Sequence, residues 1–241
     1  MVDRDKRPGC DGTVAPRFSV ISTRAAARNP FGALATGPRL PLVTVTVFVV
    51  TLVCGIAQLA HRPLYDAVVR DAARITDGEW YRLVTGMFFQ DAWAFGLVSN
   101  LLWLAVFGTL AEQVFGRAKW LLLYFGCGLF GQFMSYVWLN PVGAGNSMCV
   151  TGLIGGLATV VIVASRRYGV VLPAQFRVMA FAVPVLAMVD TVFHDNHGLP
   201  CLLGMALGFL LLPPRPSPTL APQPEVVTPD HFHGESDVKG G

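Results

Sequence analysis

Residues 145–152 read GNSMCVTG, and they open an apolar run that continues to Ser165. The loop before this run, from Gly143 to Asn146, carries no charge and is rich in glycine. A helix from Ser147 to Arg166 would rise about 28 Å at 1.5 Å per residue. That length barely spans the hydrocarbon core of a bilayer, which is about 30 Å thick. We therefore predict a membrane-spanning helix whose first residue, Ser147, is slightly recessed from the outer surface.

The composition indicates a membrane protein. Of the 241 residues, 53% are hydrophobic and only 14% are charged, whereas a soluble domain carries about 25% charged residues. Charge is scarce from about residue 40 to 213, and that block contains six apolar windows of roughly spanning length. They lie at about 41–60, 93–115, 120–139, 147–165, 174–193 and 197–213. The predicted fold is therefore an all-α membrane protein, a bundle of six transmembrane helices.

The distribution of Lys and Arg predicts the orientation. These residues are frequent in the N-terminal tail, in the second and fourth connections and at Arg215, and the third and fifth connections have none. Positive residues concentrate on the cytoplasmic side, so we expect both termini in the cytoplasm, in an inner (plasma) membrane. The first connection mixes both signs of charge and is expected to form a partly ordered outer loop. The net charge of +3 gives no case for nucleic-acid binding.

Three regions follow from these patterns. Residues 1–40 form a basic, cytoplasmic tail and residues 214–241 a proline-rich tail, and both are predicted to be disordered. Residues 41–213 form the membrane domain. The five cysteines include no CxxC pair, which argues against a disulfide framework or a zinc site. We expect no metal and no cofactor.

A second polar residue, His197, stands at the start of the last apolar window, in the segment FHDNHGLP (193–200). A hydroxyl and an imidazole are the two parts of a minimal nucleophile–base pair. The fourth and sixth windows each carry a GxxxG pair, which allows close helix packing in lipid: Gly152 with Gly156, and Gly204 with Gly208. If those faces pack together, Ser147 and His197 lie side by side at one membrane level.

Each of these features has a plainer interpretation. Asn146 and Ser147 are preferred N-cap residues, and GxxxG pairs are common in membrane helices. His194 is as ionisable as His197, so sequence spacing alone does not choose between them. Asp195 or Asp190 could orient the histidine as a third member of the site.

With these residues in view, the chain resembles the rhomboid family of intramembrane serine proteases over about residues 40–213. The segment EWYRLVT (79–85) resembles the family's tryptophan–arginine segment, and Asn100 matches the asparagine that helps to bind the oxyanion. The remaining matches are Glu112, Gly116, Arg117 and Lys119 at the end of the second window, Gly145-Asn146-Ser147 with 152–155, and His197 with Gly204 and Gly208. The resemblance implies His197 rather than His194 as the base, because only His197 keeps the family's spacing to Gly204.

The resemblance implies a Ser147–His197 dyad without an essential acid. Asn100 and the backbone amides near Ser147 would hold the oxyanion. The implied substrates are single-span membrane proteins, cut within the bilayer near the outer end of their helix. The sequence carries no signal for an oligomeric state.

Three positions depart from the family pattern. Met148 replaces the usual glycine after the nucleophile, Gly96 replaces a frequent histidine, and Thr151 replaces an aromatic residue that supports the histidine ring. These changes support an alternative function, a rhomboid-like pseudoprotease that binds membrane helices without cutting them. A third alternative is a transporter or a structural membrane protein, and the apolar windows argue against it because they hold almost no ionisable residues to form a translocation path.

Overall fold

Apolar helices make up most of the computed structural model, which describes residues 40–170 and 172–212. The two predicted tails, 1–40 and 214–241, lie outside the described residues except for Leu40. In chain order, the elements are α1 (Leu42–Ala60), α2 (Pro63–Val68), β1 (Arg70–Asp71), α3 (Ala72–Thr76), α4 (Arg82–Thr85), α5 (Trp93–Trp103), a π turn (Leu104–Gly108), α6 (Thr109–Phe115), α7 (Arg117–Val137), β2 (Val142–Gly143), α8 (Ser147–Tyr168), α9 (Ala174–Val192) and α10 (Gly198–Leu210).

The helix lengths confirm the prediction of an all-α membrane bundle. Among the described residues, five helical segments are long and apolar enough to cross a bilayer: α1, the continuous segment Trp93–Phe115, α7, α8 and α9. The sixth predicted window holds α10, an apolar helix of 13 residues. At 1.5 Å per residue, α10 rises only about 20 Å. It is therefore shorter than a full span and shorter than the predicted window of 197–213.

Helix α8 is the centre of the bundle. In its most apolar window 72% of the residues are buried, compared with 11% in α9. The predicted contact between the two GxxxG faces is confirmed: a Cβ added at Gly204 would lie 2.1 Å from the Gly152 carbonyl oxygen, and one at Gly208 would lie 2.6 Å from the Gly156 Cα. Only hydrogen fits on these glycines, so the backbones of α8 and α10 are in direct contact. This contact fixes the distance between the two helix starts.

The second span passes from α5 through the π turn into α6. The Gly108 carbonyl at the end of this turn accepts a hydrogen bond from the Trp120 indole at 2.9 Å, so a side chain of α7 satisfies it. Further along, the buried Glu112 carboxylate accepts hydrogen bonds from the Thr44 backbone at 2.8 Å, the Thr44 hydroxyl at 2.8 Å and the Val43 backbone at 3.1 Å. Glu112 thereby satisfies amides at the start of α1, which would otherwise have no partner, and joins that helix to the second span.

The first connection, residues 61–92, is ordered more fully than the mixed charge predicted. It contains three short helices, and β1 pairs antiparallel with β2 from the third connection. The buried Arg82 guanidinium contacts Glu79 and donates to the carbonyls of Asp66 at 3.0 Å and Val69 at 2.8 Å. These bonds tie the parts of the connection to one another. The pairing of β1 with β2, and a hydrogen bond from the Gly145 N–H to the Gly86 carbonyl at 2.8 Å, join the connection to the segment that precedes Ser147.

Candidate active site

Ser147 is the first residue of α8, and its hydroxyl faces the start of α10. The Oγ atom of Ser147 lies 2.8 Å from Nε2 of His197, which precedes the first residue of α10. The Ser147 hydroxyl is therefore directed at an imidazole, as a nucleophile–base pair requires. A capping side chain would instead accept a backbone N–H of its own helix. At the N-cap position, the side-chain oxygen of Asn146 points to Gln90 Nε2, at 3.5 Å.

His197 is oriented from its other ring nitrogen. Its Nδ1 atom contacts Oδ1 of Asp195, and the same oxygen accepts the His197 backbone N–H at 2.9 Å. When His197 carries its proton on Nδ1 and donates it in a hydrogen bond to Asp195, Nε2 is free to accept the proton of the Ser147 hydroxyl. Among the two candidate aspartates, it is Asp195 that makes this contact. His194 packs instead on the Trp138 ring, with centroids 5.2 Å apart.

Asn100, on α5, presents its amide near Ser147. A Cβ added at Gly145 would lie 3.4 Å from Ser147 Oγ and 3.6 Å from Asn100 Nδ2, so both polar atoms border the same small space. Gly145 has a φ of +154°, a backbone conformation that favours glycine. The first amides of α8 have no partner within the helix, and they are available to a developing oxyanion beside Asn100.

A buried network of side-chain amides lies behind Asn100. Gln90 Oε1 accepts from Asn100 Nδ2 at 2.6 Å, and the Gln90 backbone is bonded twice to the side chain of Gln58 on α1. The sequence interpretation missed Gln58 and Gln90. The available signal was that Gln58 is a polar residue inside an apolar window, where such residues usually have a partner or a function.

Two cavities meet at the Ser147–His197 pair. One, of ≈ 410 Å³, is mostly apolar and is lined by α5, the π turn, α8 and Met179 of α9. The other, of ≈ 250 Å³, has a larger polar share in its lining, which includes Arg70 and Asp91, and is referred to as the polar cavity. Asn100, Ser147 and His197 line both. The pair is therefore bordered by a mostly apolar space and by a second space that charged side chains also line.

The Met148 side chain packs against α7. It is buried, its Sδ lies 3.9 Å from Ser135 Oγ, and a Cβ added at Gly131 would lie 2.8 Å from Sδ. Gly131 of α7 has no side chain, and the Met148 side chain fills the space that this leaves. Met148 lines the polar cavity, while the contact between Ser147 and His197 forms without obstruction.

Gly96 and Thr151 each have a local explanation. A Cβ at Gly96 would lie 1.9 Å from the Asp91 carbonyl oxygen, so the chain path into α5 excludes a histidine there. That path includes two residues of positive φ, Ala92 at 55° and Trp93 at 52°. The Thr151 hydroxyl donates to the Met148 carbonyl at 3.0 Å, within its own helix.

The bundle of long apolar helices defines a multi-pass membrane protein, in which a serine and a histidine are paired at the starts of two closely packed helices. Sequence comparison gives the family: the model described as Rhomboid domain matches residues 77–214, and the chain belongs to the rhomboid family.

Two relatives come from Bacillus subtilis (strain 168). YdcA, whose name assigns it provisionally as a rhomboid protease, is 26% identical over 179 residues, covering 70% of this chain and 87% of the relative. Rhomboid protease GluP is 33% identical over 88 residues, covering 36% of this chain and 17% of the relative. Rhomboid proteases act on membrane-protein substrates within the bilayer.

Proposed function

We propose that this protein is an intramembrane serine protease that cleaves single-span membrane proteins near the outer face of a bacterial inner membrane. The observation that carries the proposal is the 2.8 Å contact between Ser147 Oγ and His197 Nε2. Its position at the junction of an apolar and a polar cavity supports the same reading. The proposed orientation, with both termini in the cytoplasm, follows from the positive residues of the connections.

The first half-reaction forms an acyl-enzyme. Ser147 Oγ attacks the carbonyl carbon of the scissile peptide bond while its proton passes to His197 Nε2. Negative charge develops on the carbonyl oxygen, where the Asn100 amide and the first amides of α8 stabilise it. Collapse of this intermediate breaks the C–N bond, and His197 returns the proton to the leaving amine.

The second half-reaction uses water from the polar cavity. His197 takes a proton from water as the water oxygen attacks the ester carbonyl, and the C–O bond to Ser147 breaks as His197 returns that proton to Ser147 Oγ. The product leaves as a carboxylic acid, which then loses its proton to solvent. Asp195 keeps the ring orientation constant through both halves by its contact with Nδ1. No cofactor is needed to balance either step.

The test is cleavage of a fluorogenic single-span substrate by the full-length protein in liposomes. We expect Ser147→Ala and His197→Ala each to reduce the rate by at least about 10³-fold, because each removes one half of the pair. Matched controls are Ser165→Ala, at the opposite end of α8, and His194→Ala, three residues before His197. Both controls should cleave at the parental rate.

A serine-reactive phosphonate separates proteolysis from the alternative of a helix-binding pseudoprotease. Labelling of the parent at Ser147, and loss of labelling in both dyad variants, would support the protease. A parent that binds membrane helices yet neither cleaves a substrate panel nor reacts with the phosphonate would overturn the proposal in favour of the pseudoprotease.

A further inference from the structure

The side chain of Gln58 holds the backbone of Gln90 in one orientation. Gln58 Oε1 accepts the Gln90 N–H at 2.9 Å, and Gln58 Nε2 donates to the Gln90 carbonyl at 2.7 Å. Both residues are 1% exposed, so water does not compete for these bonds. Since the amide oxygen and nitrogen of Gln58 are both engaged, flipping the amide would break both bonds at once.

Held in this way, Gln90 directs its own side chain at Asn100. Gln90 Oε1 accepts one N–H of Asn100 Nδ2 at 2.6 Å. An amide nitrogen carries two hydrogens, so the second remains available on the side where Nδ2 borders the Ser147 hydroxyl. The Nε2 atom of Gln90 approaches Asn146 Oδ1 at 3.5 Å. Gln90 therefore links the two segments that border the oxyanion space.

The chemistry of an asparagine amide explains why such a link is needed. The terminal torsion of asparagine is soft, and its nitrogen and oxygen have nearly the same shape. An unrestrained Asn100 could present its oxygen to the reacting carbonyl, and two negative oxygens would then repel each other. An acceptor at Gln90 Oε1 favours the orientation in which the nitrogen, a donor, faces the reaction.

We propose that Gln90 is a positioning residue that fixes Asn100 as an oxyanion donor, with Gln58 holding Gln90 in place. This inference rests on the proposed protease function. Gln90 acts through Asn100 and does not touch the substrate. Its chemical requirement is a hydrogen-bond acceptor at that position, which a side chain of similar size without an acceptor does not meet.

The test compares Gln90→Met, which keeps the length but removes the amide acceptor, with Gln90→Glu, which keeps an acceptor. In liposomes, we expect Gln90→Met to lower kcat roughly 10- to 100-fold with little change in KM. This loss is smaller than the loss of about 10²–10³ expected when a whole oxyanion donor is removed. Gln90→Glu should keep more of the rate than Gln90→Met. Gln113→Met, a half-buried glutamine on α6, is the matched control and should cleave like the parent.

A double-mutant cycle distinguishes positioning from a structural role. In the Asn100→Ala background, Gln90→Met should cost less than about 2-fold, because there is no longer an amide to orient. An equal loss in both backgrounds would overturn the proposal, since a general effect on folding would persist without Asn100. Thermal unfolding of each variant in detergent identifies such an effect directly.

A second readout does not depend on proteolysis. In protein with ¹⁵N-labelled asparagine, the side-chain NH₂ protons of Asn100 should differ strongly in chemical shift in the parent, since one is bound to Gln90. That difference should collapse in Gln90→Met and persist in Gln113→Met. Unchanged resonances in Gln90→Met would contradict the positioning role even if the parent were active. Inactivity of a parent with the expected resonances would instead contradict the proposed function.

Discussion

Gly204 of α10 rests directly on the backbone of Gly152 of α8. A Cβ at Gly204 would meet the Gly152 carbonyl oxygen at 2.1 Å and its Cα at 2.8 Å. Each glycine stands one to two turns into its helix, behind Ser147 and His197. The backbone contact between α8 and α10 therefore sets the distance between Ser147 and His197. A change that separates the two helices should also separate these two side chains.

The first prediction is that Gly204→Ala impairs both stability and cleavage. The added methyl group forces α10 away from α8, and overpacking of this kind costs about 1–3 kcal/mol. We expect a lower Tm in detergent and at least a 10-fold slower cleavage. Gly126→Ala in α7 is the control, because a Cβ there meets only Leu122 Cδ1, at 3.8 Å. If Gly204→Ala melts and cleaves like Gly126→Ala, the contact does not set the site geometry.

The second prediction is that Met148 does not block the nucleophile. Because its side chain packs on Gly131 and Ser135 of α7, Met148→Gly should leave a cavity and lose stability. Truncation of a buried methionine costs about 2–5 kcal/mol. Phosphonate labelling of Ser147 should not rise. Met188→Ala, on the exposed face of α9, should melt close to the parent. A several-fold gain of labelling in Met148→Gly would show instead that the side chain obstructs the site.

The third prediction assigns the orienting role to Asp195. Replacing it by Ala removes the acceptor for His197 Nδ1, so kcat should fall with KM nearly constant. The side chains of Asp195 and His197 are 49% and 38% exposed, and water can partly replace the carboxylate, so we expect a loss of only about 10-fold. Asp190→Ala serves as the control. A loss as large as that of His197→Ala would mean that Asp195 is essential.

The sequence was sufficient for the parts of the site that depend on helix periodicity. Ser147 and the segment that holds His194 and His197 follow from two helix starts and from glycines four residues apart, which lie on one helix face and pack as predicted. The choice of His197 over His194 came from the family resemblance. Their roles in catalysis remain predictions. The amide network was not predictable in this way, since Gln58 and Gln90 are 32 residues apart and neither has a periodic partner.

The π turn and the direction of the Met148 side chain were likewise inaccessible from sequence. The turn at Leu104–Gly108 consists of ordinary apolar residues, and the Gly108 carbonyl at its end accepts a hydrogen bond from Trp120 on another helix. Met148 turns toward α7 because Gly131 leaves room there. Both features depend on residues of α7, Trp120 in one case and Gly131 in the other, and the local sequence of each feature does not contain them.

The fourth prediction concerns pH and the first connection. Hydrogen bonds from Arg82, and then from Tyr81, lower the pKa of Glu79 below its usual value of 4.5. A carboxyl whose pKa is lower in the folded state contributes stability above its unfolded pKa and loses that contribution as pH falls through the folded pKa. The Tm of the parent should therefore decline below about pH 4.5 more steeply than that of Glu79→Gln. Parallel pH profiles would contradict this contribution.

The final prediction concerns Glu112, whose carboxylate joins the second span to the start of α1. In Glu112→Gln, one of the oxygens becomes a nitrogen, which faces the Val43 N–H if it replaces Oε1 and the Thr44 N–H if it replaces Oε2. Leaving a buried donor unsatisfied costs about 1–3 kcal/mol, so the Tm should fall clearly. Thr44→Val alone should cost less, because it removes only the hydroxyl donor. Since both changes act on one network, the double variant should be less destabilised than the sum of the two. Strict additivity would show that Glu112 and Thr44 stabilise the bundle independently.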